Sequence, residues 1–205
     1  MGGREDIQGF VLAGGKSSRM GQDKARLERA GKPLVLRAAE ILRPFVREVT
    51  LLGPPERYSD LGLPVLADQW PDQGPLAAVC TGLLNSTAEW NIFLACDLPL
   101  LSGRFLMLLV ERVRASQADA VAPRTEDGWQ PLCAAYKSRC RPAFVRALQE
   151  NRRSLIGLFE EIQVEAITPD EMAAARLGGE ELANINTPED WARIAERSKG
   201  STKLC

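Results

Sequence analysis

A run rich in glycine and basic residues follows the first apolar stretch of the chain. Residues 12–24 read Leu-Ala-Gly-Gly-Lys-Ser-Ser-Arg-Met-Gly-Gln-Asp-Lys, directly after the strand-like segment Ile7–Leu12. Adjacent glycines let backbone N–H groups turn toward an anion, and basic side chains neutralise its charge. Between positions 16 and 32, six Lys or Arg stand against two acids, a local charge of +4 in a chain of net charge −1. This pattern predicts a site for a triphosphate; the alternative is a solvated turn, in which Gly, Ser and Lys are common.

Several other chemistries are excluded by residue type. The pattern GxxxxGK[ST] would need glycine at position 10, where Phe10 stands, and GxGxxG does not occur. The chain has no histidine, which excludes Ser-His-Asp and Cys-His catalysis and His-ligated zinc. Any catalysis must therefore use carboxylates, cations, amides, hydroxyls or a bound metal.

The bulk composition indicates an ordinary globular protein of one domain. Its 205 residues are 45% hydrophobic and 26% charged, enough for one core; we expect a single domain over residues 1–205, ordered from about 7 to 197 with looser ends. The 26 basic and 27 acidic residues give no global field for nucleic acid or an anionic membrane. Without an apolar span of about 20 residues or a signal-like start, a cytoplasmic protein is expected. The five cysteines, without a CxxC pair, predict reduced thiols.

Short apolar runs alternate with amphipathic stretches, a pattern typical of an α/β fold with a mostly parallel central sheet and helices on both faces. The predicted strands are Ile7–Leu12, 48–52, 63–67, Trp90–Ala95, 119–123, 132–136 and Val164–Ile167. The predicted helices are 33–43, 74–86, 102–116, 142–150 and 155–161, with two more starting at Thr168 and Thr187, each a hydroxyl cap followed by proline and acids.

Polar residues follow several of these strands, at the edge of an open α/β sheet where ligands bind. Asp97 directly follows the strand Trp90–Ala95, which favours a magnesium ligand over a turn cap. Asp68 follows the third strand and is either an acceptor for the paired donors of guanine or a surface turn residue. Asn184 and Asn186 alternate along an extended segment, so their amides either face a metal or phosphate together or arrange the next helix start.

These residues together resemble one known family, the molybdenum cofactor guanylyltransferases (molybdopterin-guanine dinucleotide synthases) of the nucleotidyltransferase superfamily. Residues 12–24 fit LAGGxSxRMGxDK, and GPLA at 74–77, CDxP at 96–99 and NxNTPED at 184–190 follow in order. The resemblance runs from about residue 9 to 195. It implies a three-layer, Rossmann-like fold of the nucleotide-diphospho-sugar transferase type. It also implies Mg²⁺-dependent transfer of GMP from GTP to the terminal phosphate of molybdopterin, with release of pyrophosphate.

The resemblance also implies roles for individual residues and partners. A molybdoenzyme or its chaperone would receive the product. Catalysis is expected from Arg19, Lys24 and Asp97, with Asp97 as the metal ligand. The nucleotide is expected at Leu12, Ala13, Gly14, Gly15, Lys24, Asp68 and Asp97, and the acceptor at Gln130, Asn184 and Asn186.

The sequence departs from the family pattern at two places, and three alternative functions stay open. Ala78 stands where the family usually has glycine after GPLA, and Leu52-Gly53-Pro54 stands where relatives offer an asparagine to the nucleotide. The alternatives are cytidylyl transfer to molybdopterin, nucleotidyl transfer to a sugar 1-phosphate, and a non-catalytic nucleotide-binding subunit. Gly15 favours guanylyl transfer, because cytidylyl-transferring relatives tend to carry Ala-Ala-Gly at this place.

Overall fold

The computed structural model describes residues 4–13 and 23–200 of the chain. The strands in these ranges are β1 (Ile7–Leu12), β2 (Glu28–Arg29), β3 (Lys32–Pro33), β4 (Val49–Leu52), β5 (Val65–Leu66), β6 (Trp90–Ala95), β7 (Ala120–Thr125), β8 (Gly128–Trp129), β9 (Cys133–Lys137) and β10 (Val164–Ile167). The α-helices are α1 (Leu34–Leu42), α2 (Pro55–Tyr58), α3 (Pro75–Asn85), α4 (Gly103–Ala115), α5 (Arg141–Gln149), α6 (Leu155–Leu158), α7 (Pro169–Ala174) and α8 (Pro188–Gly200). Short 3₁₀ turns include Lys24–Arg26 and Ser59–Leu61.

One large sheet organises the structure, in the order β10-β7-β9-β6-β1-β4-β5, with β8 pairing β7 as a hairpin. Along this order adjacent strands are parallel, except that β9 runs antiparallel to both β6 and β7. Near the middle of the sheet, Leu12 of β1 is in register with Ala95 of β6. The carboxyl ends of these two strands therefore lie side by side, and the predicted mostly parallel sheet is confirmed.

Helices cover both faces of this sheet. On β6, Ile92 and Leu94 belong to the hydrophobic cluster that includes residues of α1 and α4, whereas Phe93 between them belongs to the cluster that includes residues of α3 and α5. Successive side chains of a strand point to opposite faces, so the two clusters lie on opposite sides of the sheet. The predicted three-layer arrangement is thereby confirmed.

Most predicted elements agree with the structure, and three of them, Ile7–Leu12, Trp90–Ala95 and Val164–Ile167, agree residue for residue with β1, β6 and β10. The predicted start of α7 is also confirmed. Thr168 accepts a hydrogen bond from the backbone N–H of Glu171, whose carboxylate accepts one from the backbone N–H of Thr168 in return. This reciprocal cap satisfies two N–H groups that the helix cannot pair by itself.

The hairpin β2–β3 was not predicted from the sequence. Its strands have two residues each, too short for an alternating pattern, and its turn places Ala30 at φ 53° and Gly31 at φ 74°. Two consecutive positive φ values define the turn type that hairpins favour, but Asn or Asp usually stands at the first position and gives the signal.

Two further elements differ from prediction. The helix α2 was not among the predicted helices; Pro55 stands at its first position, where a missing N–H costs nothing. The helix predicted for 155–161 ends at Leu158, and the ring of the next residue, Phe159, lies edge-on to Trp129 with ring centroids 5.3 Å apart.

Cys80, Cys96, Cys133 and Cys140 carry free thiols, as predicted, and Cys205 lies outside the described residues. Within residues 4–13 and 23–200, no helix combines the length and the apolar content that crossing a bilayer requires.

Candidate active site

The candidate site begins where β1 and β6 end. Cys96, just beyond β6, donates its backbone N–H to the Leu12 carbonyl at 3.2 Å, and Ala13 donates its own to the Leu52 carbonyl at 2.9 Å. These bonds continue the ladder one residue past the strands and bring Ala13 and Asp97 to the same edge of the sheet. Leu12 and Ala13 are both buried there. Gly14, Gly15 and Arg19 lie outside the described residues.

Lys24 returns to this edge on the 3₁₀ turn Lys24–Arg26. Asp23 caps the turn, since its Oδ1 accepts the backbone N–H of Ala25 at 3.0 Å. The Lys24 Nζ lies 3.8 Å from Asp97 Oδ2 and donates to the carbonyl of Ile185 at 2.7 Å and to Asn186 Oδ1 at 3.1 Å. Three distant stretches of sequence thus meet at one ammonium group.

The carboxyl group of Asp97 lies in an environment that disfavours its charged form. Burial raises the pKa of its carboxyl, and the ammonium of Lys24 opposes that rise. The Oδ1 atom is buried and has no hydrogen-bond partner within the described part of the chain. A buried carboxylate oxygen without a donor is costly unless a ligand supplies the missing partner. Such perturbed carboxyls in clefts are typical of functional sites.

This unpartnered oxygen is the observation that tests a divalent-metal site. Mg²⁺ prefers carboxylate oxygens together with substrate phosphate oxygens and water. Among the described residues, no group of three or more Cys, Asp or Glu side chains could hold a metal, so a metal at Asp97 would need most of its ligands from a bound phosphate and water. The unpartnered Oδ1 of Asp97, close to the ammonium group of Lys24 that could bind a phosphate, fits that need.

A cavity of about 240 Å³ opens next to Asp97. Two exposed amides, Asn184 and Asn186, line it, while Ile185 between them is fully buried. The backbone N–H of Ile185 donates to the Asp97 carbonyl at 3.0 Å, which fixes this segment against the end of β6. The remaining lining residues are Ala95, Leu98, Gln130, Pro131, Leu132 and Cys133.

Gln130 reaches the cavity from the other side, on the connection between β8 and β9. Its backbone N–H donates to the Pro123 carbonyl at 2.9 Å, and its side-chain Nε2 lies 3.4 Å from Thr125 Oγ1. Because β9 is the antiparallel neighbour of β6, residues that precede β9 arrive at the carboxyl end of β6. The expected acceptor residues Gln130, Asn184 and Asn186 therefore share one cavity with Asp97.

Asp68 does not line this cavity. Its Oδ1 accepts the backbone N–H of Trp70 at 2.9 Å and the hydroxyl of Thr81 at 3.0 Å. The first of these bonds is a turn in which an aspartate side chain caps the backbone two residues on. One carboxylate oxygen of Asp68 is thus engaged within the protein, in the kind of turn that the turn alternative describes.

One residue at this edge was missed from the sequence. Tyr58, at the end of α2, is 1% exposed, and its hydroxyl lies 2.6 Å from the Ala13 carbonyl and 2.9 Å from Asp23 Oδ2. The available signal was indirect: Tyr58 follows the first turn after β4, the neighbour of β1. The contacts of Tyr58 depend on the pairing of β4 with β1 in the sheet, and no pattern in the sequence around Tyr58 indicates this pairing.

The chain is similar to proteins of known type over most of its length. A family model described as a MobA-like NTP transferase domain matches residues 9–164. A probable molybdenum cofactor guanylyltransferase of Trichormus variabilis is 36% identical over 196 residues, covering 92% of this chain and 90% of that protein. One of Synechococcus elongatus is 36% identical over 193 residues, covering 90% of this chain and 96% of that protein.

Solved structures show the same fold at lower identity. Molybdopterin-guanine dinucleotide biosynthesis protein A from Archaeoglobus fulgidus superposes with a TM-score of 0.82 at 22% identity, covering 94% of this chain and 99% of that one. A Mycobacterium tuberculosis protein in complex with manganese superposes with a TM-score of 0.65 at 15% identity, covering 93% and 98%. The family match and the relatives at 36% identity lead to one conclusion: this chain is a nucleotidyltransferase that belongs to the family of MobA-like NTP transferases.

Proposed function

We propose that this protein transfers GMP from GTP to the terminal phosphate of molybdopterin and releases pyrophosphate. The observation that carries the proposal is the pair formed by Lys24 and Asp97, 3.8 Å apart beside a cavity, with one Asp97 oxygen buried and unpartnered among the described residues. A cation beside a carboxylate that keeps one oxygen unpartnered among the described residues suits a metal-bound triphosphate. The names of the relatives support guanylyl transfer in molybdenum cofactor synthesis.

This reaction needs no nucleophile from the protein. A terminal phosphate oxygen of molybdopterin attacks the α-phosphorus of GTP, a new P–O bond forms, and the bond to pyrophosphate breaks. The acceptor phosphate is ionised near neutral pH, so catalysis can rest on positioning and charge neutralisation. A chain without histidine can supply both through cations, carboxylates and amides.

Asp97 would hold the Mg²⁺ ion through the oxygen that has no donor within the described residues. When bound, the ion neutralises charge on the phosphates. Asp97 itself must be ionised for this role, and the nearby ammonium of Lys24 favours that state.

Lys24 would bind the phosphates of GTP directly. Two of its hydrogen-bond acceptors, the backbone carbonyl of Ile185 and the amide oxygen of Asn186, are neutral. A phosphate oxygen carries charge and forms the stronger hydrogen bond with an ammonium group, so the side chain can exchange these acceptors for the nucleotide. Arg19 would add a second cation.

The remaining proposed contacts divide between the base and the acceptor. The Asp68 oxygen not used by Trp70 and Thr81 would accept one donor of guanine. On the acceptor side, the amides of Gln130, Asn184 and Asn186 around the cavity would hold molybdopterin. The backbone of residues 12–15 would lie against the nucleotide.

The substitution Lys24→Ala tests the phosphate role. It should weaken GTP binding by at least about tenfold, since a charge-assisted hydrogen bond contributes about 1.5–3 kcal/mol, and should change GMP binding much less. Titration of both nucleotides, followed by heat or fluorescence in the presence of Mg²⁺, measures the two affinities.

Lys32→Ala is the matched control for this experiment. Lys32 is a half-exposed lysine that pairs with Glu40 on the surface, so its loss should leave both affinities unchanged. Equal weakening of GTP and GMP by Lys24→Ala would move Lys24 away from the phosphates and count against the proposal.

A further inference from the structure

Tyr58 connects two segments that meet at the candidate site. Its single hydroxyl lies within hydrogen-bond distance of the Ala13 carbonyl, at 2.6 Å, and of Asp23 Oδ2, at 2.9 Å. Ala13 is the residue immediately after β1, and Asp23 is the residue immediately before Lys24. One hydrogen shared between these two acceptors thus ties the end of β1 to the turn that carries Lys24.

The Asp23 carboxylate passes this constraint on to Lys24. Its Oδ2 faces Tyr58, while its Oδ1 caps the backbone N–H of Ala25. Lys24 lies between the capping residue and the capped one, so its backbone is fixed by both oxygens of Asp23. Because the pKa of Tyr58 is raised well above its usual value by burial and by the bond to Asp23, the hydroxyl remains a donor throughout the neutral range.

The other end of the same turn is held by a more exposed contact. Arg26 pairs with Asp60 at 2.7 Å, donates to the Arg57 carbonyl, and places its guanidinium 5.9 Å from the centre of the Tyr58 ring. Asp60 is 63% exposed, and exposed ion pairs contribute little to stability. We therefore expect the buried hydroxyl of Tyr58 to contribute more to holding the turn than the exposed pair does.

We propose that Tyr58 is a positioning residue that acts through Asp23 to hold Lys24 where the phosphates of the nucleotide bind. A phenylalanine ring would fill the same space in the core, so the hydroxyl is required for the hydrogen that it shares between Ala13 and Asp23 and not for packing. This inference rests on the proposed function, because it assumes that Lys24 binds the phosphates of a nucleoside triphosphate.

Tyr58→Phe tests the role of the hydroxyl. We expect the dissociation constant and the KM for GTP to rise about tenfold, because a displaced Lys24 would lose about one charge-assisted hydrogen bond to the phosphates. The affinity for GMP and the KM for molybdopterin should stay within about twofold of wild type. If the hydroxyl served stability alone, Tyr58→Phe would lower the melting temperature and leave the affinity and the KM for GTP unchanged. Asp60→Ala is the control, because it breaks only the exposed pair with Arg26 and should leave the KM for GTP unchanged.

A double-mutant cycle identifies the route through Asp23. Asp23→Ser retains a hydroxyl that can cap the turn but is too short to meet Tyr58, so it should weaken GTP binding about as much as Tyr58→Phe. The double variant should be no weaker than either single one, because both remove the same bond. If Tyr58→Phe does not fold, Asp23→Ser alone decides the question by the same tenfold criterion.

This inference would be overturned if Tyr58→Phe or Asp23→Ser bound GTP with wild-type affinity. It would also be overturned if the double variant lost GTP affinity by the product of the two single losses. Either result would leave the proposed function intact. If the wild-type protein shows no Mg²⁺-dependent shift in melting temperature with any nucleotide, the proposed function itself fails, and this inference fails with it.

Discussion

Asp97 lines the cavity of the candidate site, and its surroundings disfavour a charged carboxyl. Its carboxyl is largely buried, burial raises its pKa, and one oxygen has no donor within the described residues. A side chain selected only for folding would not be placed this way, since a buried polar atom without a partner costs about 1–3 kcal/mol. The arrangement is what a ligand-binding carboxylate requires before its ligand arrives.

Asp97→Asn should therefore separate activity from stability. Transfer should fall by at least about 100-fold, because the variant loses the negative charge that, in the proposed function, would hold Mg²⁺ against the phosphates. The raised pKa means that Asp97 favours the folded state below its unfolded pKa and that this contribution is lost as pH rises through the folded pKa. The variant lacks a carboxyl whose charged form is disfavoured by burial, so at pH 7 it should be at least as stable as wild type. Urea unfolding and steady-state turnover at pH 7 measure the two effects.

Asp190→Asn provides the opposite case. Asp190 accepts the backbone N–H groups of Asn186 and Thr187, and these bonds lower its pKa to about 2. Its stabilising effect is present above its unfolded pKa and is lost as pH falls toward about 2. This variant should lose stability at pH 7. A large loss of stability in Asp97→Asn, or turnover close to wild type, would contradict the role given to Asp97.

The sequence identified Lys24 and Asp97 because both stand in long patterns after predicted strands, and the structure brings them within 3.8 Å. Their roles stay predictions. Tyr58 was missed because its importance depends on a contact with Ala13, 45 positions away in sequence. No local pattern distinguishes such a tyrosine from an ordinary core residue.

At the level of helices and strands, the contact between α3 and β6 sets how closely a helix approaches the sheet beneath the site. Gly82 of α3 packs on Phe93 of β6, and a Cβ added at Gly82 would lie 2.6 Å from Cε1 of that ring. The ring has no room to move, since it stacks on Phe10 with centroids 4.9 Å apart and meets Tyr136 edge-on at 5.8 Å. Glycine is required here for close approach.

Gly82→Ala should destabilise the protein by about 1–3 kcal/mol, the usual cost of overpacking a core, despite the better helix propensity of alanine. Gly103→Ala is the matched control in α4, because a Cβ at Gly103 would meet no described atom within 4 Å; it should be neutral or more stable by up to about 1 kcal/mol. The difference in free energy of unfolding between the two variants, from urea titration, checks the packing. Equal stabilities would contradict it.

Helices and strands were predicted correctly where the apolar pattern extends over several residues, and they were missed where the segment is too short to show a pattern. The six-residue strand β6 is bounded by clear polar residues and could be located from sequence. The hairpin β2–β3 could not, because two-residue strands carry no period and their pairing depends on the backbone of Ala30 and Gly31. This hairpin leads directly from the turn of Lys24 into α1.

Across the whole molecule, the site draws on residues far apart in the chain. The family match ends at residue 164, yet the carbonyl of Ile185 accepts from Lys24 and its N–H donates to Asp97. Ile185 packs in a separate small cluster with Leu27, Leu34 and Ile194. Packing of the C-terminal segment and the geometry of the site are therefore linked. That the full chain folds as a single domain stays a prediction.

Ile185→Ala should accordingly lower both stability and nucleotide affinity. Loss of a fully buried isoleucine side chain costs about 2–5 kcal/mol, and loosening this cluster displaces an acceptor of Lys24. Ile167→Ala is the matched control: Ile167 is also fully buried but lies on the edge strand β10. Both variants should lose similar stability in urea, and only Ile185→Ala should weaken GTP by about tenfold or more. Equal GTP affinities would show that the cluster does not support the site.

The proposed reaction is tested most directly by product formation from competing nucleotides. Purified protein is incubated with molybdopterin, Mg²⁺ and equal concentrations of GTP, ATP, CTP and UTP, and the dinucleotide products and pyrophosphate are quantified by mass spectrometry and a coupled assay. Molybdopterin-guanine dinucleotide should be the main product, formed with one pyrophosphate each and abolished by a chelator. GTP should be preferred by about ten- to a hundredfold for each polar pairing that a competing base cannot make. A cytosine product would contradict guanylyl transfer, and nucleotide binding without pyrophosphate release would contradict catalysis.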